Sequence, residues 1–221
     1  VKVVFVKGGS AKDGIEYNLS PTMTVFAGKL FNTISLAAIP DTLYEEEERI
    51  IITVDNIENG TSTVQQQKMV TLVSEDPKPT VSLSVAGTIN ETEPGESTPV
   101  MAVLNTPSGH DVTVTLTKSG IAKDGVDYTL KETIVVPAGQ DSASIPLAAL
   151  PDPLNETDDE SVVIAIIGVV DAFIKDNKQE KTVLINDDDF PPSVTISVAS
   201  DTMNEKGGAT TVTATTTAPS S

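Results

Sequence analysis

The stretch AKDGIEYNL, residues 11–19, returns as AKDGVDYTL at residues 122–130 of the same 221-residue chain. The same offset of 111 residues superposes Gly9 on Gly120. Farther along, the offset drifts to 113 and then 114, and the small gaps fall in turn-like segments where insertions are tolerated. Self-similarity at this spacing indicates a tandem repeat whose unit has the length of a domain.

Strand-like runs dominate the complete copy of this unit, residues 80–189. Val, Ile and Thr are frequent there, and the regular apolar spacing of three and four residues is missing, so the pattern favours strands over helices. Seven short strands in about 110 residues predict an all-β fold of tandem immunoglobulin-like β-sandwiches. The runs are expected at residues 80–86, 98–104, 111–117, 132–136, 141–147, 161–167 and 181–186.

Measured against this unit, the chain holds one complete repeat and two partial ones. Residues 1–77 match a repeat without its first two strands, residues 78–190 form the complete repeat, and residues 191–221 hold the first two strands of a third. Two explanations stay open. Either the chain is a piece of a longer tandem array, or strands 194–198 and 209–217 of one subunit complete the open sandwich of the next, giving a head-to-tail fibre.

The charge balance limits the partners of the chain. Fourteen Lys and Arg against 32 Asp and Glu give a net charge of −18, which argues against nucleic acid and anionic membranes because phosphate binding needs clustered basic residues. Cations are the natural partners. The apolar runs are far shorter than the roughly 20 residues of a spanning helix, so we expect no membrane-spanning segment.

Catalytic chemistry finds few suitable residues in this sequence. His110 is the only histidine, it follows a predicted hairpin turn, and the chain has no cysteine to serve as a nucleophile. Paired acids could serve a glycosidase, but sugar clefts are usually lined by aromatic residues, and the chain has three tyrosines, five phenylalanines and no tryptophan. We therefore expect a protein that is not an enzyme.

Acidic residues of the complete copy lie at predicted turns or strand ends. Loops at one end of a sandwich meet although they are distant in sequence, and carboxylates brought within ~4–5 Å repel one another unless a cation lies between them. Ca²⁺ takes six to eight oxygens and accepts loop-built geometry more readily than Mg²⁺. For each acid taken alone, a solvated surface charge is the alternative. The positions are Glu91, Asp127, Asp152, Glu156, either Asp159 or Glu160, and the run Asp187-Asp188-Asp189.

The order of these motifs resembles the Calx-beta domain, the repeat found in sodium–calcium exchangers and in many bacterial surface proteins. The resemblance covers the complete copy and residues 1–76, and it reaches residue 205. It implies a sandwich that binds Ca²⁺ at one end. The motifs are Asn90-Glu91, the AKDGVDY stretch, a Pro-Ala-Gly turn, PDPLNETDDESVVI at 151–164 and VLINDDDF at 183–190.

Position by position, the resemblance implies ligands in both copies. Pro151 and Pro153 stand where strong binders of the family have acids, so we expect fewer ions or weaker binding. A neighbour's Glu205 would supply the first-strand glutamate that residues 1–76 lack. The implied ligands are Glu91, Asp127, Asp152, the backbone carbonyl of Leu154, Glu156, Asp159 or Glu160, Asp187, Asp188 and Asp189 in the complete copy, and Glu16, Asp41, Glu45, Glu48, Glu75 and Asp76 in the first.

Three functional hypotheses follow from the motifs and the resemblance. The first is a structural repeat of an extracellular or bacterial cell-surface array, adhesin or fibre, in which constitutively bound Ca²⁺ stiffens the joints between neighbouring repeats. The acidic run continues into Phe190-Pro191-Pro192, so it is also the linker. The second is a Ca²⁺-sensing regulatory domain pair. The third is a metal-free spacer, which the two prolines of the acidic turn keep open.

Overall fold

A computed structural model describes residues 1–62, 64–92, 94–156, 160–177 and 179–219. Within these ranges the fold is all-β, as the strand pattern predicted, and the one helical element is a 3-10 turn at Lys175–Asn177. No helix in the described part of the chain is long and apolar enough to span a membrane. The chain forms two compact units, of which the first is Val1–Pro79 with Asn105–Asp111 and Pro137–Asp141, and the second is Thr80–Leu104, Val112–Val136 and Ser142–Ser221.

The first unit contains an open sandwich of six strands. Four of them form an antiparallel sheet in the order β3-β1-β5-β6, and β2 pairs with β4 in a separate two-stranded sheet. Among its described residues, the fully buried apolar core consists of Ala11, Tyr17, Leu19 and Ile50. The strands are β1 (Lys2–Gly9), β2 (Tyr17–Leu19), β3 (Thr22–Thr24), β4 (Leu36–Ala38), β5 (Glu48–Glu58) and β6 (Gln67–Leu72).

The second unit contains a closed sandwich of ten strands. Its sheets have the orders β12-β10-β14-β16-β8 and β11-β13-β9-β7-β15, and Val, Ile, Leu, Ala and one tyrosine fill the core between them. The strands are β7 (Thr80–Ser84), β8 (Thr88–Asn90), β9 (Ser97–Leu104), β10 (Val112–Gly120), β11 (Tyr128–Leu130), β12 (Thr133–Val136), β13 (Ser142–Ala149), β14 (Glu160–Val170), β15 (Phe173–Ile174) and β16 (Glu180–Asn186).

All seven predicted runs contain a strand, and three short strands were missed. The missed strands β8, β11 and β15 have only two or three residues, too few to show an alternating pattern. Two of them pair in parallel, β8 with β16 and β15 with β7. Their partners lie far away in sequence, so the pairing is a tertiary property.

A final hairpin follows the closed sandwich. It consists of β17 (Val194–Val198) and β18 (Val212–Thr216), and its pairing of Val194 with Thr216 repeats the pairing of Val81 with Leu104 between β7 and β9. Ile196 is 74% exposed, whereas Leu83, at the matching place in the closed sandwich, is 3% exposed. The hairpin thus has the register of an opening strand pair without the core that buries it. The three repeat boundaries at 77, 190 and 221 remain a proposal.

One glycine per copy determines how the chain enters the AKDG stretch. Gly9 and Gly120 end β1 and β10 with φ of 110° and 122°, a region that residues with a Cβ rarely adopt. A Cβ would lie 1.8 Å from the Arg49 carbonyl oxygen in the first case and 2.0 Å from that of Ser161 in the second. Both strands also share a β-bulge at the same repeat position. The repeat therefore preserves backbone geometry as well as sequence.

Candidate metal centre

The repeated AKDG loop holds Asp127 at the end of the closed sandwich. The Lys123 amide donates to the Asp127 carboxylate at 2.6 Å, and the Gly125 amide donates to the Tyr128 carbonyl at 2.7 Å. The Leu150 amide donates to the Asp127 carbonyl at 2.9 Å. Because Tyr128 is buried, the chain is anchored beside the acid. Gly125 and Tyr128 therefore form and anchor the turn, and the turn places Asp127 at the end of the sandwich.

Three carboxylates converge at this end of the second unit. Glu91, Glu156 and Asp187 each offer an oxygen, and these oxygens lie within 4.8 Å of one another. Glu91 directly follows β8, and its amide donates to the Asn186 carbonyl at 3.2 Å. The Glu156 amide donates to the Asp187 carboxylate at 3.2 Å. Parallel pairing of β8 with β16 thus brings together acids that are 96 residues apart in sequence.

Glu91 is the buried member of this cluster, and Glu156 and Asp187 are half-buried. Glu91 is 5% exposed, and burial raises its pKa to about 7, with repulsion from the surrounding acids as the further cause. Burial likewise raises the pKa of Glu156, followed by repulsion from Asp152 and Asp187. A carboxylate pays for desolvation unless a cation or donor compensates it. A bound cation would therefore stabilise the charged form of the cluster.

Glu160 also belongs to this acidic end. Glu160 is the first residue of β14 and pairs with Ile185 of β16. Burial, the hydrogen bond that its protonated form donates to Asp127, and repulsion from Asp127 raise the pKa of Glu160 to about 7. Its Oε2 atom is buried and has no hydrogen-bond partner among the described residues. The sequence left Asp159 and Glu160 open as alternatives. The structure places Glu160 here, and Asp159 lies outside the described residues.

The acidic turn and the exit of β16 are tied together by an asparagine. Asn155 donates from Nδ2 to the Asp187 carboxylate and to the Asp189 carbonyl, both at 3.0 Å. The Asp152 carboxylate accepts from the Leu154 amide at 2.7 Å, which shapes the turn. Asp188 is exposed. Sequence reasoning did not single out Asn155, because the first copy has Tyr44 at this position and no repeated signal marks it.

The first unit brings its predicted acids around one cavity. The cavity measures about 240 Å³, and its acidic lining is Glu16, Asp41, Glu45, Glu46, Glu48, Glu75 and Asp76. Of these, only Glu46 was not predicted. Burial raises the pKa of both Glu45 and Glu48, and repulsion among the neighbouring acids adds to it. Glu48 Oε2 is buried without a hydrogen-bond partner among the described residues. Glu48 thus resembles Glu160, because burial raises the pKa of both and each has a buried Oε2 atom without such a partner.

A serine in the first cavity stands where the closed sandwich has an aspartate. Ser74 Oγ accepts from the amides of Glu45 and Asp76 at 3.5 and 3.3 Å. In the closed sandwich the Asp187 carboxylate accepts from the matching amides of Glu156 and Asp189. Ser74 therefore takes the place of the first aspartate of the triplet, and Glu75 and Asp76 match the other two. The sequence analysis named Glu75 and Asp76 as implied ligands but not Ser74.

Two further residues considered in the sequence analysis are Glu205 and His110, and the charge of His110 acts on Glu45 and Glu48 of the first cavity. Glu205 is exposed in the turn between β17 and β18, so its contribution to a neighbour's site remains a prediction. His110 is exposed, and its amide donates to Ser108 Oγ at 3.1 Å within a turn. Neither residue contributes to the group of Glu91, Glu156 and Asp187.

The donor set at both acidic ends consists of carboxylate oxygens from loops and strand ends. Such donors suit hard cations, and six to eight of them at irregular angles suit Ca²⁺. The buried and unpartnered oxygens of Glu48 and Glu160 are what a bound cation would satisfy. The residues present therefore fit a divalent metal ion.

The fold and the acidic ends together define a class of tandem β-sandwich modules with clustered loop carboxylates. The family model of the Calx-beta domain matches residues 1–78 and 74–189, so the chain belongs to the Calx-beta domain family. No curated protein matches the chain at a significant level.

Three solved Calx structures are among those to which the chain is similar. The apo form of the Calx CBD1 domain is 21% identical, covers 51% of this chain and 100% of its own, and has a TM-score of 0.43. CBD12 from CALX1.2 is 16% identical, with 83% and 86% coverage and a TM-score of 0.37. The calcium binding domain CBD12 of CALX1.1 is 17% identical, with 76% and 67% coverage and a TM-score of 0.33.

Proposed function

We propose that the chain is a non-catalytic structural repeat module that binds Ca²⁺ through loop carboxylates at one end of each sandwich. The observation that carries the proposal is the convergence of Glu91, Glu156 and Asp187, whose oxygens lie within 4.8 Å of one another. Without a cation this arrangement holds like charges in a partly desolvated place. A bound divalent ion supplies the compensating charge and cross-links the loops that carry the acids.

Each copy offers its own set of ligands for the ion. In the closed sandwich, Asp127 and Glu160 border the cluster, and the Asp152 turn lies beside it. In the first copy, Ser74 replaces one carboxylate, and the described residues of that unit include no counterpart of Glu91. Because affinity grows with the number of charged ligands, we expect the closed sandwich to bind Ca²⁺ more tightly. The ligand set is Glu91, Asp127, Asp152, Leu154, Glu156, Glu160, Asp187, Asp188 and Asp189 there, with Asp159 as an untested member, and Glu16, Asp41, Glu45, Glu48, Glu75 and Asp76 in the first copy.

Calcium is expected to stabilise the chain by mass action. An ion that binds only the folded state adds about 2.7 kcal/mol at 100 times its dissociation constant. Thermal unfolding in chelator and then at stepwise Ca²⁺ concentrations should therefore show a midpoint that climbs with the logarithm of free Ca²⁺. A midpoint that is indifferent to Ca²⁺ would leave the acids as solubilising charges and the protein as a metal-free spacer.

Glu91→Gln separates loss of the site from loss of the fold. The variant removes a buried charge, so it should unfold at the wild-type temperature or higher in chelator and should gain less from Ca²⁺. Asp55→Asn is the matched control, because Asp55 is an exposed acid of β5 outside the acidic lining of the first cavity. It should keep the full calcium response. Equal responses of the two variants would contradict the assignment of Glu91.

We further propose that the open edges of the first unit are completed by strands from a neighbouring repeat or from another copy of the chain. β6 is an edge strand, whereas β16 in the closed sandwich is flanked by β8. The β17–β18 hairpin has the matching register and exposed apolar residues. Such pairing is strand addition at a sheet edge. Glu205 would then arrive next to the first acidic cavity.

This assembly proposal has a direct test in the mass of the chain in solution. Light scattering over a range of concentrations should show multiples of the 23.1 kDa chain, because each copy has both an open sandwich and a hairpin that can complete the next one. Ile196→Asp should lower the mass, since the aspartate cannot enter an apolar core. A single-chain mass at every concentration would refute assembly between copies.

Extracellular or bacterial cell-surface placement follows as a proposal from the same features. Extracellular modules bind Ca²⁺ with dissociation constants of about 10⁻⁴ to 10⁻³ M, which suits a constitutive joint. A sensor pair would bind at about 10⁻⁷ to 10⁻⁵ M and change shape reversibly. The measured calcium affinity therefore separates the surface array, adhesin or fibre from the regulatory alternative.

A further inference from the structure

A lysine of β10 holds the acid-bearing loop of the closed sandwich from both sides. Lys118 Nζ donates to the Asp124 carboxylate at 2.6 Å and to the Leu130 carbonyl at 3.0 Å. Asp124 lies three residues before Asp127, and Leu130 lies three residues after it. The Lys118 side chain is only 13% exposed. One ammonium group therefore fixes both flanks of the segment that carries Asp127.

The first copy repeats this arrangement with its own lysine. Lys7 Nζ donates to the Asp13 carboxylate and, at 2.8 Å, to the Leu19 carbonyl. These two acceptors lie three residues before and three residues after Glu16. Lys118 has an additional ion pair with Glu132 at 3.4 Å, at a position where the first copy has Pro21. The shared part of the contact is therefore the lysine, the aspartate and the carbonyl.

The middle of the loop is positioned by polar contacts. Ala122 and Tyr128 anchor its two ends in the core, whereas Val126, between them, is 56% exposed and contributes little packing. The turn's own hydrogen bonds close residues 123–128 on themselves, whereas Lys118 connects that turn to the adjoining strand. Asp127 then reaches the Glu160 carboxyl. Displacing the turn would move Asp127 relative to the acids supplied by the other loops.

We propose that Lys118 and Lys7 are positioning residues for the acidic sites, each acting only on the site of its own copy by holding the loop that presents Asp127 or Glu16. The proposal rests on the proposed calcium binding of these sites. Neither lysine contributes a ligand, since an ammonium group has no lone pair to offer a cation while protonated. Groups that orient metal ligands typically change metal affinity by about 10–100-fold when removed.

The test follows single amides of the full chain by NMR during a Ca²⁺ titration. The Lys123 and Asp127 amides report on the closed sandwich, and the Lys12 and Glu16 amides report on the first copy. Lys118→Met removes the ammonium group and keeps the stem, and Lys7→Met does the same in the first copy. The two variants are thus matched controls for each other. Lys118→Arg keeps a cationic donor at the same place.

The expected result is a crossed pattern. Lys118→Met should raise the Ca²⁺ midpoint of the closed-sandwich amides by about tenfold or more and leave the first-copy amides within about twofold. Lys7→Met should do the reverse, and Lys118→Arg should recover most of the loss. Equal weakening at both sites, or wild-type titration of Lys118→Met, would overturn the proposal while leaving calcium binding intact.

A calcium-free measurement keeps this inference separate from the proposed function. Amide hydrogen exchange in chelator should be at least about tenfold faster at Asp127 in Lys118→Met, with the strand amides of β14 unchanged. If no wild-type amide responds to Ca²⁺, the calcium function fails and the exchange result alone decides whether Lys118 positions the loop. Unchanged exchange at Asp127 would refute the positioning role.

Discussion

Gly120→Ala is expected to destabilise the closed sandwich by about 3 kcal/mol or more. The backbone at Gly120 has φ of 122°, and a Cβ would lie 2.0 Å from the Ser161 carbonyl oxygen. That oxygen belongs to β14 and accepts hydrogen bonds from the amides of Ile121 and Ala122. The alanine therefore meets both an unfavourable dihedral angle and a rigid backbone atom. Equilibrium urea denaturation followed by circular dichroism measures the loss.

Two other glycines of the same sandwich separate these two causes. Gly125 has φ of 81° but open space where its Cβ would be, so Gly125→Ala should cost about 1 kcal/mol. Gly168 has no positive φ, and its nearest side-chain atom would be 3.8 Å away, so alanine should be neutral or slightly stabilising. Equal stability of the Gly120 and Gly125 variants would show that the carbonyl contact is relieved by movement of β14.

Acidification is expected to stabilise the calcium-free chain. The folded-state pKa values of Glu91 and Glu160 are about 7, above the ordinary 4.5. Between these limits the folded state binds more protons than the unfolded state, so the free energy of unfolding increases as pH falls from about 7 to about 4.5. The contributions of the two carboxyls are not additive, because the carboxyls repel each other. We expect the free energy of unfolding to increase by on the order of 2 kcal/mol in total. Urea denaturation in chelator at about pH 8 and about pH 5 measures it.

Calcium should reverse the sign of this pH dependence. Protons compete with the ion for the same carboxylates, so acidification at saturating Ca²⁺ removes the contribution of the ion. Glu91→Gln should make the calcium-free profile shallower and leave the part due to Glu160, because the glutamine has no proton to take up in this range. A calcium-free profile that is the same in wild type and variant would show that Glu91 does not carry the pH dependence.

The candidate site was predictable from the sequence as a set of positions. Acids recurred at matching turns in both copies, and the family resemblance ordered them along the chain. The hydrogen bonds and ion pairs within the site were not predictable. Asn155 and Lys118 are ordinary polar residues whose partners lie elsewhere in the chain. Ser74 takes Asp187's place because β6 pairs with β5 in the register in which β16 pairs with β14. Lys118 left one usable signal, since a lysine stands at the same repeat position in the first copy.

By itself, the sequence determined the tandem repeat, the all-β class and the seven principal strands, because alternation and turn chemistry are local properties of a few consecutive residues. Only the tertiary structure decided which acids meet. The group of Glu91, Glu156 and Asp187 depends on parallel pairing across 96 residues, and the inclusion of Glu160 depends on the register of β14 against β16. Register between distant strands is set by burial of their common core, which no local window of sequence contains.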